Sequence, residues 1–166
     1  EERLNAVPRF KERMVWFRNY RMQNGLYAVM EEFREGDDVL LSLLPRQRLI
    51  KMLHALLDEK EFLSPWGIRS LSKRHEQPYV FSVKGEAFSI AYEPGESTTS
   101  MYGGNSNWRG PVWFPMNYIL LDALREFDSY YGKTLQVEFP ANTGQLQTLG
   151  NIADQISRML IAIFCK

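Results

Sequence analysis

The segment with the densest potential for chemistry covers residues 103–118 and reads GGNSNWRGPVWFPMNY. Its first half fits neither a helical nor a strand period, and it combines Asn, Trp and Arg with three glycines. A plain linker would be small and polar, whereas binding pockets combine aromatic walls with a few polar groups. Loops also carry much of the binding chemistry of proteins. The segment therefore predicts a ligand-binding loop that leads into an apolar helix.

Three side chains in this loop could contact a ligand or serve the fold. An indole can stack on the C–H face of a sugar ring or fill a core with its N–H bonded to a carbonyl. We expect ligand contact for Trp108, which follows Gly and Asn, and core packing for Trp113, which precedes a helix. Arg109 offers a rigid fork of donors. It could hold sugar hydroxyls, orient a catalytic carboxylate, or form a structural ion pair with an acid such as Glu96.

Two asparagines and a second loop extend this candidate site. Asn105 and Asn107 tolerate left-handed turns and present amides, so we expect them to shape the loop first and to bond sugar second. Residues 64–72 form another glycine-containing loop after a predicted helix, and they include Trp66 and Arg69. These two side chains could line the same cavity as Trp108. The alternative is that this loop simply leads into a hairpin.

The sequence Glu93-Pro94-Gly95-Glu96 suits a type II turn with a glutamate at each end. Such a turn holds its ends within about 7 Å. Two carboxylates about 5 to 10 Å apart can act as the acid and the base or nucleophile of glycoside hydrolysis. Glutamates that flank turns are usually solvated, and we prefer that interpretation.

Composition excludes several functional classes. Lys and Arg number 20, as do Asp and Glu, so zero net charge argues against a nucleic-acid partner. With one cysteine, Cys165, and two histidines, His54 and His75, neither a disulfide framework nor a zinc site is expected. We expect no metal and no cofactor. No apolar run is long enough to span a bilayer and no signal peptide is recognisable, so we expect no membrane partner and a cytoplasmic location.

Hydrophobic spacing predicts four helices. They cover residues 8–20, a segment that starts near Pro45, a segment that follows Pro115 and stops at Gly132, and residues 146–164 with Thr143 as a plausible cap. The expected apolar stripes are Phe10, Met14 and Phe17 in the first; Leu49, Ile50, Leu53, Leu56 and Leu57 in the second; Met116, Leu120, Ala123, Leu124, Phe127 and Tyr131 in the third; and Leu149, Ile152, Ala153, Ile156, Leu160 and Ile163 in the fourth.

Short β-type runs interrupt these helices. Residues 79–83 and 86–92 flank Lys84-Gly85 and predict a hairpin with a two-residue turn. Residues 27–33 and 39–43 could be two further strands around Gly36-Asp37. The expected fold class is therefore mainly α with a small β-hairpin insertion.

Taken together, the loops at residues 62–72, 92–99 and 104–118 resemble the C-terminal catalytic region of glycoside hydrolase family 63. This family includes processing α-glucosidase I (mannosyl-oligosaccharide glucosidase) and its microbial relatives, with mannosylglycerate hydrolase as a close cousin. The resemblance is clearest to the microbial branch, covers most of the chain, and is most specific in the Trp108-Arg109-Gly110-Pro111 motif.

The resemblance implies part of an (α/α)6 toroid and inverting hydrolysis of α-glucosides or glucosylated oligosaccharides. It places Asn107, Trp108 and Arg109 at the pocket for the cleaved sugar, and Trp66, Arg69 and Glu96 on loops at the same end. The general acid of the family, an Asp, and its general base, a Glu, are expected outside this chain. Residues 1–166 would then be a fragment of a single catalytic domain, inactive alone.

Two other interpretations stay open. The chain could be a non-catalytic carbohydrate-binding or helical interaction module, since neither expected catalytic carboxylate is present. It could also be a truncated piece whose one-sided helices expose a large apolar surface.

Overall fold

The helices contain more of the described residues than the strands do, as a mainly α fold requires. The computed structural model describes residues 7–24, 30–33, 39–42, 44–96, 98–100, 104 and 106–165. In these ranges the α-helices are α1 (Pro8–Gln23), α2 (Arg46–Leu56), α3 (Phe114–Tyr131) and α4 (Leu149–Ala162). The strands are β1 (Met30–Phe33), β2 (Val39–Ser42), β3 (Leu63–Ser64), β4 (Gly67–Ile68), β5 (Tyr79–Val83), β6 (Glu86–Ile90), β7 (Gln136–Glu138) and β8 (Leu146–Thr148).

Among the described residues, each strand pairs with its neighbour in sequence. The two-stranded antiparallel sheets found there are β1 with β2, β3 with β4, β5 with β6, and β7 with β8. The chain divides into two compact units, residues 1–51 and residues 52–166. Among the described residues no helix is both long enough and apolar enough to cross a membrane.

The first unit contains α1 and the β1–β2 hairpin, and both were predicted. The hairpin pairs Phe33 with Val39 and Met30 with Ser42; its predicted turn at Gly36-Asp37 lies outside the described residues. Along α1, Phe10 and Phe17 are exposed and Met14 is half-buried. The predicted apolar face of this helix is therefore largely in contact with solvent in this chain.

Helix α2 buries a narrower stripe than the sequence predicts. Leu49, Leu53 and Leu57 are nearly inaccessible, whereas Ile50 is exposed and Leu56 is half-buried. Buried positions at intervals of four residues lie along one ridge of the helix. The prediction of five buried positions was therefore right for three of them.

Helices α3 and α4 form the main helix pair of the second unit. On α4, Leu149, Ile152, Ala153, Ile156 and Leu160 are buried, as predicted, and Ile163 is half-buried. The predicted start at residue 146 was wrong, because residues 146–148 form β8 and pair with β7. The cap is Thr148, whose side chain accepts a hydrogen bond from the Asn151 N–H. The Thr143 hydroxyl instead donates to the Pro140 carbonyl.

Helix α3 ends at Gly132, as predicted, but its buried face is shifted. Met116 and Ala123 are exposed, while Asn117 and Leu121 are buried together with Leu124 and Tyr131. The prediction counted apolar residues and so passed over an asparagine that faces the interior. That asparagine accepts one hydrogen bond from β4 and donates another to it, as described below.

A glycine allows α3 and α4 to approach closely. A Cβ atom on Gly150 would lie 2.5 Å from the Asp128 Oδ2 atom of α3. The Asp128 carboxylate thus lies beside the first turn of α4, where the helix dipole favours negative charge.

The β5–β6 hairpin was predicted correctly in both strands and turn, although β6 ends at Ile90. Lys84 and Gly85 have φ values of 51° and 87°, and positive φ at both central residues is typical of a type I′ turn. The tiny β3–β4 hairpin, which pairs Ser64 with Gly67, was not predicted. Its two-residue strands are too short to show a period.

Candidate functional site

Three loops that are distant in sequence meet in the second unit. We refer to residues 62–72, 92–99 and 104–113 as the three-loop cluster. The Ser70 N–H donates to the Pro111 carbonyl at 3.1 Å, and the Glu93 N–H donates to the Arg109 carbonyl at 2.7 Å. An isolated antiparallel bridge joins Arg69 to Val112. The third loop is therefore held on one side by the first and on the other by the second.

The close contact between these loops requires a glycine at position 110. Gly110 has φ of +122°, and a Cβ atom there would lie 2.2 Å from Cε2 of the Tyr92 ring. The Gly110 N–H donates to the Ser70 hydroxyl at 3.0 Å. The Tyr92 hydroxyl in turn accepts a hydrogen bond from Arg69 Nε at 3.2 Å. The ring of Tyr92 thus occupies the space that a side chain at position 110 would fill.

Arg109 is 2% exposed and is engaged by residues of the second loop. Its Nη1 atom lies 2.5 Å from Glu93 Oε2, and its Nη2 donates to the Thr99 hydroxyl at 2.6 Å. Of the roles predicted for Arg109, this geometry favours the structural ion pair. The suggested partner was wrong, because the acid is Glu93, and Glu96 is exposed.

Glu93 is held as a carboxylate. A hydrogen bond from the Thr98 hydroxyl, and then hydrogen bonds from Arg109 and the Thr98 N–H, lower the pKa of Glu93 below its ordinary 4.5, against an opposing effect of desolvation. A general acid needs the opposite shift, since it must stay protonated near neutral pH. The predicted type II turn was also wrong, because Gly95 lacks the positive φ that such a turn requires.

Trp108 lies on the wall of a small cavity. The side chain is 43% exposed, and its ring meets Trp113 edge-on with centroids 4.5 Å apart. The cavity measures about 160 Å³. Its lining is mostly apolar and consists of Leu56, Phe62, Ile68, Arg69, Ser70, Trp108, Met116, Asn117 and Leu120.

Of the other predicted site residues, one lines this cavity and two lie outside its lining. Arg69 lines it, and its Nη1 donates to the carbonyls of Leu63 and of Glu59, the latter at 3.3 Å. Trp66, at the tip of the β3–β4 turn, is 40% exposed and is not among the lining residues. Asn107 is exposed in the short 3-10 turn that includes Trp108. Asn105 lies outside the described residues.

Asn117 is a cavity residue that the sequence analysis missed as a site residue. It is 2% exposed, its Oδ1 accepts from the Ile68 N–H at 2.8 Å, and its Nδ2 donates to the Ile68 carbonyl at 2.9 Å. Nδ2 also bonds the Trp113 carbonyl at 3.0 Å. A sequence signal existed, because position 117 shares the helical period of Leu121 and Leu124.

A larger depression lies beside the β5–β6 hairpin and measures about 440 Å³. It is lined by Ala87, Phe88, Ser89, Thr99 and Ser100. Size alone would favour it as a binding site. We favour the smaller cavity because it brings an exposed indole and a guanidinium to one wall, at the junction of the three loops.

The smaller cavity would bind a ligand through its shape and its apolar surface more than through hydrogen bonds. The amide of Asn117 bonds Ile68 and Trp113, and the Ser70 hydroxyl accepts from Gly110. Ligand pockets commonly measure about 300 to 1,000 Å³, so about 160 Å³ suits only part of a small ligand. The arrangement can pack against one face of a ring, while hydroxyl groups would need further partners.

Comparison with known proteins identifies the class of protein to which these loops belong. The family of mannosylglycerate hydrolase MGH1-like glycoside hydrolase domains matches residues 38–156, a range that contains the whole three-loop cluster. The chain belongs to this family of glycoside hydrolase domains. The match confirms the resemblance on which the sequence analysis relied.

Two curated relatives are much longer than this chain. An uncharacterized protein of Saccharomyces cerevisiae, YMR196W, is 44% identical over 158 residues, which is 93% of this chain and 14% of the relative. A probable mannosyl-oligosaccharide glucosidase of Schizosaccharomyces pombe is 35% identical over 88 residues, which is 52% of this chain and 8% of the relative. No solved structure matches the chain significantly.

Proposed function

We propose that this chain forms the sugar-holding part of an inverting α-glucosidase that acts on α-glucosides or glucosylated oligosaccharides. Membership of a glycoside hydrolase family supports the general reaction. The relative from Schizosaccharomyces pombe supports the substrate class, since its name describes a probable mannosyl-oligosaccharide glucosidase.

The proposed architecture is a section of an (α/α)6 toroid. A complete ring of that kind needs on the order of 200 residues. The described residues contain four α-helices, of which α3 and α4 are packed together. The remaining helices would belong to other parts of a longer protein, consistent with the small share of each relative that the chain spans.

In the proposed mechanism, the two proton-transferring carboxyl groups lie outside this chain. A protonated acid gives its proton to the leaving glycosidic oxygen, and a carboxylate on the opposite face activates water. Water then attacks the anomeric carbon and inverts its configuration. The Trp108 indole would pack against the sugar ring and keep it aligned with both groups, since orientation of the reactants lowers the barrier.

One observation carries this proposal. The three-loop cluster places the half-exposed Trp108 and the guanidinium of Arg69 on the wall of a single cavity. Both residues belong to the motifs that carry the family resemblance. An aromatic face with a nearby hydrogen-bonding group is what recognition of a sugar ring requires.

The proposal is tested by Trp108→Ala in the full-length protein, with hydrolysis of an α-glucoside as the assay. We expect kcat/KM to fall by about 100-fold, since the indole contacts the reacting ring. Tyr79→Ala is the matched control, because Tyr79 is an aromatic residue of the hairpin that is 59% exposed and lies outside the cavity lining. NMR of the first glucose released should show the β-anomer.

Unchanged turnover and unchanged sugar affinity in Trp108→Ala would refute the sugar-holding role. Release of α-glucose as the first product would refute inversion. The two readouts are independent, so one part of the proposal can fail without the other.

A second candidate function is a non-catalytic carbohydrate-binding module. It is favoured by the state of the carboxylates in the three-loop cluster, where Glu93 is paired with Arg109 and Glu96 is exposed. Incubation of this chain by itself with an α-glucoside tests it. Release of glucose would refute this alternative and would return attention to Glu93 and Glu96 as a working pair.

A further inference from the structure

We propose that Glu93 and Arg109 form a positioning pair that orients Trp108 toward the substrate without touching the substrate. This inference rests on the proposed function, in which Trp108 holds the sugar ring. It assigns a role to a carboxylate that the proposed reaction does not use.

The ion pair holds Arg109 at two points. The Glu93 carboxylate accepts from the guanidinium, with Nη1 and Oε2 2.5 Å apart, and the Glu93 N–H donates to the Arg109 carbonyl at 2.7 Å. The same residue of the second loop therefore fixes both the side chain and the main chain of Arg109. Two contacts of this kind limit rotation of the peptide on either side of Arg109.

Trp108 is the residue directly before Arg109, so its orientation depends on that peptide. Its ring has one described aromatic neighbour, Trp113, which it meets edge-on with an interplanar angle of 78°. Part of Trp108 is open, since the residue is 43% exposed. In the proposed arrangement, the backbone anchor at Arg109 adds a restraint on the direction of this ring.

Hydrogen bonds within the second loop fix the carboxylate of Glu93. The Thr98 hydroxyl donates to Glu93 Oε1, and the Thr98 N–H donates to Oε2 at 3.4 Å. Thr99 accepts the second arm of the guanidinium at 2.6 Å. Arginine is suited to this arrangement because its planar fork can bond two partners at once, whereas a lysine ammonium is a point charge on a flexible stem.

The burial of the pair distinguishes it from an ordinary surface ion pair. The side chain of Arg109 is 3% exposed and that of Glu93 is 18% exposed. By comparison, the ion pair between Arg125 and Asp154 on the helix pair is 50% and 62% exposed. Exposed pairs contribute little to stability, while removal of one partner of a buried pair is strongly destabilising because it leaves an uncompensated charge.

A double-mutant cycle in the full-length protein tests the inference. The variants are Glu93→Gln, Trp108→Ala and the combination of both, assayed for kcat and KM on an α-glucoside. We expect Glu93→Gln to lower kcat/KM by about tenfold, since small displacements of a positioning group have large effects on rate. In the Trp108→Ala background the same change should alter kcat/KM by less than about twofold, because the two residues act through one contact.

Glu86→Gln is the control for charge removal, because Glu86 is an exposed residue of the β5–β6 hairpin. Thermal unfolding midpoints of all variants separate a loss of activity from a loss of folded protein. Should Glu93→Gln fail to fold, Thr98→Val removes a donor to Glu93 from an exposed position and is put through the same cycle. There we expect a loss of about threefold that disappears in the Trp108→Ala background.

The outcomes separate this inference from the proposed function. If Trp108→Ala has no effect on hydrolysis, the proposed function itself fails. If Trp108→Ala lowers kcat/KM but Glu93→Gln leaves it within twofold of the parent, the positioning role is refuted. If the losses of Glu93→Gln and Trp108→Ala simply multiply, Glu93 acts independently of Trp108, and the positioning role is again refuted.

Discussion

In the α3–α4 helix pair, Leu149, Ile152 and Ile156 are completely removed from solvent, whereas in the three-loop cluster a charged residue, Arg109, is only 2% exposed. The helix pair is stabilised mainly by apolar burial, which is non-directional and roughly proportional to area. The loop cluster depends on hydrogen bonds and an ion pair, which are directional, and on close contacts at Gly67 and Gly110. We therefore expect substitutions in the helix pair to lower stability in proportion to the apolar group removed. In the loop cluster we expect even small substitutions to lower stability strongly.

The largest effect is expected for Gly110→Ala. Its Cβ atom would lie 2.2 Å from the Tyr92 ring, and its φ of +122° is strained for any residue with a side chain. We expect the free energy of unfolding to fall by about 4 kcal/mol, combining backbone strain and overpacking. Chemical denaturation measures this value.

Gly95→Ala is the matched control for that experiment. Gly95 lies in the second loop and is exposed, and a Cβ atom there would have no described atom within 4 Å apart from those of its chain neighbours. We expect a change of about 0.5 kcal/mol or less. Equal effects of the two substitutions would contradict the description of Gly110 as a contact point.

The next effect tests the helix pair. Ile156 is 0% exposed, so Ile156→Ala should lower the free energy of unfolding by about 3 kcal/mol and Ile156→Val by about 1 kcal/mol. Denaturation midpoints of the two variants measure this gradation. If Ile156→Val lowered the free energy of unfolding as much as Gly110→Ala, the expected difference in tolerance to substitution between the helix pair and the loop cluster would be wrong.

A substitution where the two regions meet should have an intermediate effect. Asn117 lies on α3 and bonds both the N–H and the carbonyl of Ile68 in the first loop. Asn117→Leu leaves these buried groups without their partner and should cost about 2 kcal/mol in unfolding free energy. Asn151→Leu, at an exposed position in the first turn of α4, should cost less than about 0.5 kcal/mol.

The smallest effect concerns pH. Because the pKa of Glu93 is lowered in the folded chain, its ion pair contributes fully above the unfolded value of 4.5 and is lost as pH falls through the lower folded pKa. The difference in thermal unfolding midpoint between the parent and Glu93→Gln should therefore be constant from pH 8 to about pH 5 and shrink below about pH 4. A difference that grows in acid would contradict the assignment of Glu93 as the carboxylate that pairs with Arg109.

Much of the secondary structure could be predicted from the sequence. The apolar period of α4 predicted all five of its buried residues, and Lys84-Gly85 predicted the turn of the β5–β6 hairpin. These features depend on residues close in sequence, whose spacing and backbone preferences are local properties. The family resemblance also came from local motifs, and the comparison with known domains confirmed it.

Several errors share a cause, which is hydrogen bonding or ion pairing with residues outside the segment that was read. Residues 146–148 continue the helical period of α4, but they form a strand because β7 offers them hydrogen-bond partners. Asn117 breaks the apolar pattern of α3, yet it is buried because Ile68, 49 residues earlier, satisfies its amide. The predicted turn gave Glu93 and Glu96 equivalent positions at its two ends. In the structure, Glu93 forms an ion pair with the buried Arg109.

The sequence by itself determined which segments are helices and which short runs turn back as hairpins, and it determined that the loops carry the motifs of a glycoside hydrolase domain. Only the tertiary structure decided that Glu93 pairs with Arg109, that Tyr92 packs on Gly110, and that Trp108 is left half-exposed beside a cavity. The physical reason is that helical and turn preferences act over a few residues. Ion pairs, glycine contacts and side-chain exposure instead depend on which distant groups the folded chain brings within a few ångströms.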